Sequence, residues 1–250
     1  MSREHETTDA YVLRRVDYKE SDRILTLFTR AHGKISALAR GARKSNRRFA
    51  GPLEPFVLLE VTLDVPVGGR LRTVRESTLL DGASGLSKRM ERLNAASFVL
   101  EMLRESIPEE TPEPRLFDLL RAILSRLAEL DGAPLHKSVT AFQLKLLEQL
   151  GTAVTVNQCA TCGKSVPEGR PVYFHPGRGG VICTPCGGGP LLLSAAAVSA
   201  LRALAYGPLE ESLKISISDE DEREVERALT AFIEHHLARP LTTREAFLGR

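Results

Sequence analysis

Five short stretches decide the fold: YVLRRVDY (11–18), RILTLFTR (23–30), KISALARGAR (34–43), FVLLEVTLDV (56–65) and GRLRTVREST (69–78). Each is an apolar or β-branched run of strand length, and the segments between them carry turn signals: Lys-Glu-Ser-Asp, His-Gly, Gly-Pro and Gly-Gly. No window from Ala10 to about Leu80 holds a helical stripe. Five strands in so short a span suit a small closed barrel. An OB-fold is the first choice over an SH3-like barrel or a sheet fragment, because it is the common barrel of this size that binds nucleic acid.

After Ser84 the period changes. NAASFVLEMLRES (94–106), PRLFDLLRAILSRLAEL (114–130) and PLHKSVTAFQLKLLEQLG (134–151) place apolar residues at i, i+3, i+4 and i+7, as bundle helices do. Leu116, Leu119, Leu120, Ile123, Leu124 and Leu127 form a face wide enough to be core, and Gly132 with Pro134 breaks the chain before the next helix. Ser194 reads as the N-cap of an alanine-rich helix that stops at Gly207-Pro208, and a last helix runs from near Ser218 to before Pro240. The expected class is therefore α+β: an OB-fold barrel at 1–82, a helical domain at 83–155 and 191–250, and a cysteine-bearing insertion at 156–190.

The formal net charge is only +2, but it is unevenly spread. Between residues 30 and 53 stand Arg30, Lys34, Arg40, Arg43, Lys44, Arg47 and Arg48, with no acidic residue, whereas Asp219 to Glu226 is mostly acid. A positive field confined to one domain points to a polyanionic partner for that domain; the bland alternative is a solvated basic face. With no Trp in the chain, and with Tyr11, Tyr18, Phe28, Phe49 and Phe56 mostly assigned to the barrel core, base stacking is expected to be a minor part of any nucleic-acid grip. No stretch reaches membrane-span length and the first residues lack the apolar core of a signal peptide, so a cytoplasmic chain is expected.

In such a reducing compartment the four cysteines are read for metal or redox chemistry. CATC (159–162) and CTPC (183–186) are paired C-x-x-C knuckles, and Cys159, Cys162, Cys183 and Cys186 together supply the four-thiolate shell of one structural zinc ion. A redox dithiol needs only one such pair, and a zinc deaminase needs an upstream H-x-E that this chain lacks. His175, between the pairs, reads as a polar loop residue before it reads as a ligand, and GRGG (177–180) as a flexible tip. Asp17, Glu20 and Asp22 read as a solvated turn. No phosphate-binding, nucleophile-elbow or zinc-protease motif occurs, so no enzyme is expected.

The order AYVLRRVDYKESDRILTLFT (10–29), HGKISALARGARKS (32–45) and LEPF (53–56) resembles the RecO family of recombination mediators, and the helical middle, the cysteine pairs and FIEHHLARPLTTREAF (232–247) follow the same order. The resemblance implies an OB-fold joined to a helical domain. It further implies a protein that binds single- and double-stranded DNA, anneals complementary strands, works with RecR and the tail of single-stranded-DNA-binding protein, and indirectly loads RecA. By motif position it implies DNA contact by Lys34, Arg40, Arg43 and Lys44, then by Arg14, Arg15, Arg47 and Arg48. An acidic partner tail with an apolar end needs a groove with cationic rims, for which Arg121, Arg126, Lys137 and Lys145 are candidates. Two other classes stay open: an RNA-binding translation or ribosome factor built from an OB barrel and a zinc ribbon, and a zinc-dependent hydrolase or nuclease.

Overall fold

The computed structural model describes residues 5–45, 48–64, 71–237 and 240–249. They fall into two compact units, residues 1–129 and 130–250.

The first unit is built on β1 (His5–Tyr18), β2 (Asp22–Thr29), β3 (Gly33–Ala39), β4 (Phe49–Ala50), β5 (Leu58–Asp64) and β6 (Arg72–Asp81). β1 pairs antiparallel with both β2 and β5, β2 with β3, and β5 with β6; a parallel β3–β6 pairing closes the ring. That is the closed five-stranded OB arrangement, with the two-residue β4 added along β6. The expected strand at 69–78 is seen from Arg72 onward, its first residues lying outside the described ones. Alternate residues fill the interior: Ala10, Val12, Leu25, Leu27, Ile35, Ala37, Ala39, Leu59, Val61, Leu63 and Val74 form one apolar cluster with Phe49 and Leu53.

Two helices complete this unit, α1 (Met90–Ser106) and α2 (Pro114–Leu127). α2 lies on the outside of β1 and β2, where Phe117 meets Tyr11 and Phe28 with ring centroids 5.4 and 5.7 Å apart. Arg30 completes the seam, donating to both carboxylate oxygens of Asp118 at 2.6 and 3.2 Å. Tyr11 and Phe28 are therefore buried on the outer side of the sheet, and Phe49 inside it.

The second unit holds α3 (Gly132–Gln149), a three-stranded sheet of β7 (Val172–His175), β8 (Gly180–Ile182) and β9 (Leu191–Leu193), then α4 (Ala195–Tyr206), α5 (Asp219–His236) and the short α6 (Arg244–Phe247). Gly132 and Pro134 sit in the first turn of α3, a place where proline's missing N–H is harmless, and do not precede the helix. The two serine caps form as read: Ser194 Oγ accepts from the Ala197 N–H at 3.0 Å and Ser218 Oγ from the Asp221 N–H at 3.2 Å. No helix among the described residues is long and apolar enough to cross a membrane.

Candidate nucleic-acid interface and metal centre

One end of the barrel gathers the basic residues because two loops are pinned together there. The β1–β2 turn at Tyr18–Asp22 is tight, with Lys19 at φ +54°, and the chain leaving β3 folds back onto it. Gly41 N–H donates to the Asp22 carboxylate at 2.8 Å, and Arg43 N–H to the Ser21 carbonyl at 3.0 Å. The Gly41 bond, with Lys19 and Arg40 nearby, holds the Asp22 carboxyl below the usual carboxylate range. Asp22 is thus a clamp for the loop, and Asp17 pairs with Arg23 at 3.1 Å.

The clamp brings Arg40, Arg43, Lys44 and Arg48 beside the distal half of β1, which carries Arg14 and Arg15. They are not equivalent. Arg14 and Lys44 have exposed side chains and no ion-pair partner among the described residues. Arg40 is exposed and faces Asp22, while its carbonyl accepts from the Arg48 guanidinium at 2.8 Å. Arg43 donates to the Glu20 carbonyl at 3.3 Å and lies 3.8 Å from Asp17. Arg15 is paired with Glu54 at 2.7 Å. Lys34 stands apart: its Nζ donates to the Arg104 carbonyl at 2.8 Å and lies 3.4 Å from Glu109, so it ties β3 to the end of α1. Arg47 lies outside the described residues.

The expectation that most of the five aromatic residues fill the barrel core needs a correction: Phe49 belongs to that core, Tyr11 and Phe28 are buried outside the sheet against Phe117, Phe56 is half-buried, and Tyr18 is exposed. Tyr18 is 42% exposed, with the Lys19 ammonium 5.2 Å from its ring centroid. The cause is a bulge in β1 between Val12 and Arg14, which shifts the register against β2 and reverses which side chains point inward. Simple alternation along YVLRRVDY hides that reversal.

The candidate partner-contacting residues lie on separate helices. Arg121 is exposed on α2, which also carries Arg126. On α3, Lys137 Nζ donates to the Ile215 carbonyl at 2.7 Å and Lys145 Nζ to the Gly207 carbonyl at 2.6 Å. Both ammoniums thereby hold the stretch that follows α4. Beside that stretch an open groove of about 610 Å³ is lined by Arg202, Tyr206, Lys214 and Ile215, which the sequence reading did not single out.

The two cysteine knuckles meet in the second unit. The Sγ atoms of Cys159, Cys162, Cys183 and Cys186 all lie within 4.8 Å of one another and could hold a metal ion. The Cys162–Cys183 separation is 3.8 Å, and a tetrahedron with metal–sulfur bonds of about 2.3 Å has edges of roughly that length. Each knuckle turns on a glycine in the left-handed region, Gly163 at φ +72° and Gly187 at φ +94°. The Cys183 N–H donates to Cys159 Sγ at 3.4 Å, the main cause that lowers the Cys159 thiol to about 6. Hydrogen bonding with the Cys183 thiol in turn pushes Cys186 up to about 12, so a bound cation would displace protons from the set. His175 is on strand β7 and outside this cluster, with its Nδ1 buried and without a hydrogen-bond partner among the described residues. The GRGG tip is not free: Gly180 is buried in β8, where Thr155 exchanges backbone hydrogen bonds with Gly179 and Val181 at 2.9 Å each.

Residues 1–83 match the family model for the recombination protein O N terminal region, and residues 87–245 the one for its C terminal region. A protein named DNA repair protein RecO from Anaeromyxobacter sp. (strain K) is 40% identical over 236 residues, covering 93% of this chain and 92% of its own. Similarly named proteins of Myxococcus xanthus and Geobacter metallireducens are 37% and 35% identical, covering 93% and 94% of both chains in each case. The OB barrel, the helical remainder and two family models that account for nearly the whole length agree: the chain belongs to the recombination protein O family.

Proposed function

We propose that this chain is a non-enzymatic, cytoplasmic mediator of DNA repair and recombination that grips DNA by charge at one end of its OB barrel. The observation that carries this reading is the loop of residues 40–45, clamped through Gly41 and Arg43 onto the β1–β2 turn, which sets Arg40, Arg43 and Lys44 beside that turn with Arg48 against the Arg40 carbonyl, on the barrel whose β1 also carries Arg14. Phosphates held by such side chains release condensed counterions, which supplies affinity for single and double strands without reading sequence. A surface of that kind can hold two complementary strands close together, the requirement for annealing. Arg15 and Lys34 act mainly in the barrel's own ion pairs and hydrogen bonds, and Arg47 continues the basic run. In domain terms, residues 1–82 bind DNA, 83–155 with 191–250 dock partners, and 156–190 form the finger.

One zinc ion on Cys159, Cys162, Cys183 and Cys186 is the metal best suited to four thiolates, and its role is to hold the finger folded. Four sulfur ligands leave no open coordination position for a substrate, which argues against a hydrolase. The partners are RecR, single-stranded-DNA-binding protein and, through them, RecA. An acidic tail with an apolar end would meet Arg202, Tyr206 and Ile215 in the groove, where Lys214 is paired with the lining residue Glu211 at 2.8 Å and Lys137 and Lys145 stiffen the wall; Arg121 and Arg126 offer a second cationic face.

The test is a fluorescence-transfer annealing assay with complementary strands, each coated with single-stranded-DNA-binding protein and mixed with or without RecR. Faster duplex formation on adding the purified chain supports the reading. Failure to accelerate it, together with tighter binding of structured RNA than of single-stranded DNA at equal salt, would instead indicate an RNA-binding factor.

A further inference from the structure

The first unit holds a pocket that neither the DNA grip nor the metal site uses. It lies where the end of β6 meets the last turn of α2, has a volume of about 260 Å³, and takes all its walls from that unit. Tyr11 of β1, Leu58 of β5 and Asp81 of β6 stand side by side in the barrel register, so Tyr11 and Asp81 approach the pocket from the same side of the sheet. Phe56 adds a second ring, and Leu124 and Ala128 come from the end of α2. Four non-glycine residues among the described ones hold φ in the left-handed region, and two of them, Phe56 at +75° and Ala83 at +50°, line this pocket. Asp81 fixes Ala83 there by accepting its N–H at 2.9 Å. Backbone strain of that kind persists where the surroundings over-determine it, as they do at ligand clamps.

The polar groups of the pocket say what fills it. Tyr11 is 3% exposed, yet its hydroxyl has no hydrogen-bond partner among the described residues, an arrangement a buried phenol avoids. The Asp81 carboxylate acts on that phenol, which turns the open hydroxyl toward the pocket that both residues line. The exposed carboxylates of Asp81 and Glu129 have no ion-pair partner among the described residues. No cationic side chain lines the pocket: Arg121, which also acts on the Tyr11 phenol, lies outside it, and Arg92 donates from behind to the carbonyls of Gly85, Ala128 and Glu129. The C-terminus of α2 adds its own partial negative charge. Phosphates and acidic tails are therefore repelled here, and a cation with an apolar stem is favoured. We propose that this pocket binds an alkylguanidinium, its stem against Tyr11, Phe56 and Leu124 and its planar head donating to the Tyr11 hydroxyl and the Asp81 and Glu129 carboxylates. A guanidinium carries several N–H donors in one plane and is more weakly hydrated than an ammonium, so it suits three acceptors around a half-buried aromatic site. Two sources have this chemistry, an arginine of a partner protein and a free alkylguanidine. Leu79 and Leu80, which precede Asp81 and are 41% and 49% exposed, add apolar contact for the residues flanking an arginine.

The experiment follows backbone amide NMR shifts of Ala83, Ser84, Gly85 and Ser125 in the full chain while four probes are titrated. These are N-acetyl-arginine amide, its neutral isostere N-acetyl-citrulline amide, agmatine, and the capped peptide Gly-Leu-Arg-Leu-Gly. The arginine amide should give saturable shifts at these positions and the citrulline amide none. Asp81→Asn with Glu129→Gln, which keeps shape and the Ala83 contact, should weaken the arginine amide roughly ten-fold or more. Tyr11→Phe, which keeps the ring, should weaken it roughly five-fold. A peptide that binds more tightly than agmatine assigns the guanidinium to a partner protein, and the reverse order to a free alkylguanidine; both orders support the pocket. Equal shifts with citrulline overturn the proposal by making the pocket a merely apolar crevice. Unchanged binding in the carboxylate variant overturns it, as does the absence of shifts with every probe. If the carboxylate variant does not fold, unchanged affinity in Tyr11→Phe is enough to overturn it. None of these outcomes bears on the DNA reading.

Discussion

Removing Arg14, Arg40 and Lys44 together should flatten the salt dependence of single-strand binding by a calculable amount. Arg14 and Lys44 are exposed without an ion-pair partner among the described residues, and Arg40 is exposed near Asp22, so each is available to a phosphate. For single strands the slope of log K against log salt is about −0.7 per neutralised phosphate, so losing three contacts makes it shallower by about 2. Between 50 and 200 mM salt the wild type should then lose roughly 20-fold more affinity than the triple alanine variant. Lys34→Ala is the control, since its ammonium is spent on the Arg104 carbonyl at 2.8 Å with a side chain only 12% exposed. That substitution should leave the slope unchanged and lower the stability of the barrel unit by about 1.5 kcal/mol, the scale of a charge-assisted hydrogen bond. Anisotropy titrations across a salt series, with thermal melts of each variant, supply both readouts. An unchanged slope in the triple variant, or an equal flattening in Lys34→Ala, would refute the assignment of the clamped loop as the DNA grip.

Three other outcomes follow from the geometry. Burial pushes the Tyr11 phenol from 10.0 up to about 12, so the folded state keeps a proton that the unfolded chain has released. That stabilisation is complete below pH 10 and lost as pH rises toward about 12, a fall of about 3 kcal/mol that Tyr11→Phe should remove from denaturant midpoints measured across the window. Purified protein should carry zinc by elemental analysis, and chelation should abolish hydrogen-exchange protection at Thr155 and Val181; full protection after the metal is stripped would rule out a folding role. Gly33→Ala forces a Cβ to within 1.8 Å of the Thr111 carbonyl oxygen at φ +67°, and about 2 to 4 kcal/mol of stability should go. Gly132→Ala meets nothing within 4 Å at φ +59° and should cost only the left-handed strain, about 1 to 2 kcal/mol, so near-equal melting shifts for the two variants would count against the clash.

Much of the architecture was already readable in the chain. Period-two apolar runs with β-branched residues mark β1, β2, β3, β5 and β6, because a barrel strand must bury one side. The serine caps at Ser194 and Ser218 and the two C-x-x-C knuckles are equally local: a cap needs one oxygen within a turn, and a metal site of this type needs a fixed short spacing. These features depend on neighbours a few positions away, so sequence alone determines them.

What tertiary structure decided is which equal-looking residues do which job. Lys34, Arg15 and Lys44 are all cations in one motif, yet Lys34 is drawn onto a carbonyl of α1, Arg15 onto Glu54, and only Lys44 is left to solvent. Those partners lie 70 and 39 positions away, and nothing in the local pattern names them. The bulge after Val12 had the same effect on β1: one extra residue turned Tyr18 and Val16 outward, where unbroken alternation from the buried Ala10 and Val12 would have put them in the core. A strand's identity is set by composition over half a dozen residues. Which face each side chain takes is set by pairing with another strand, and that pairing exists only in the folded barrel.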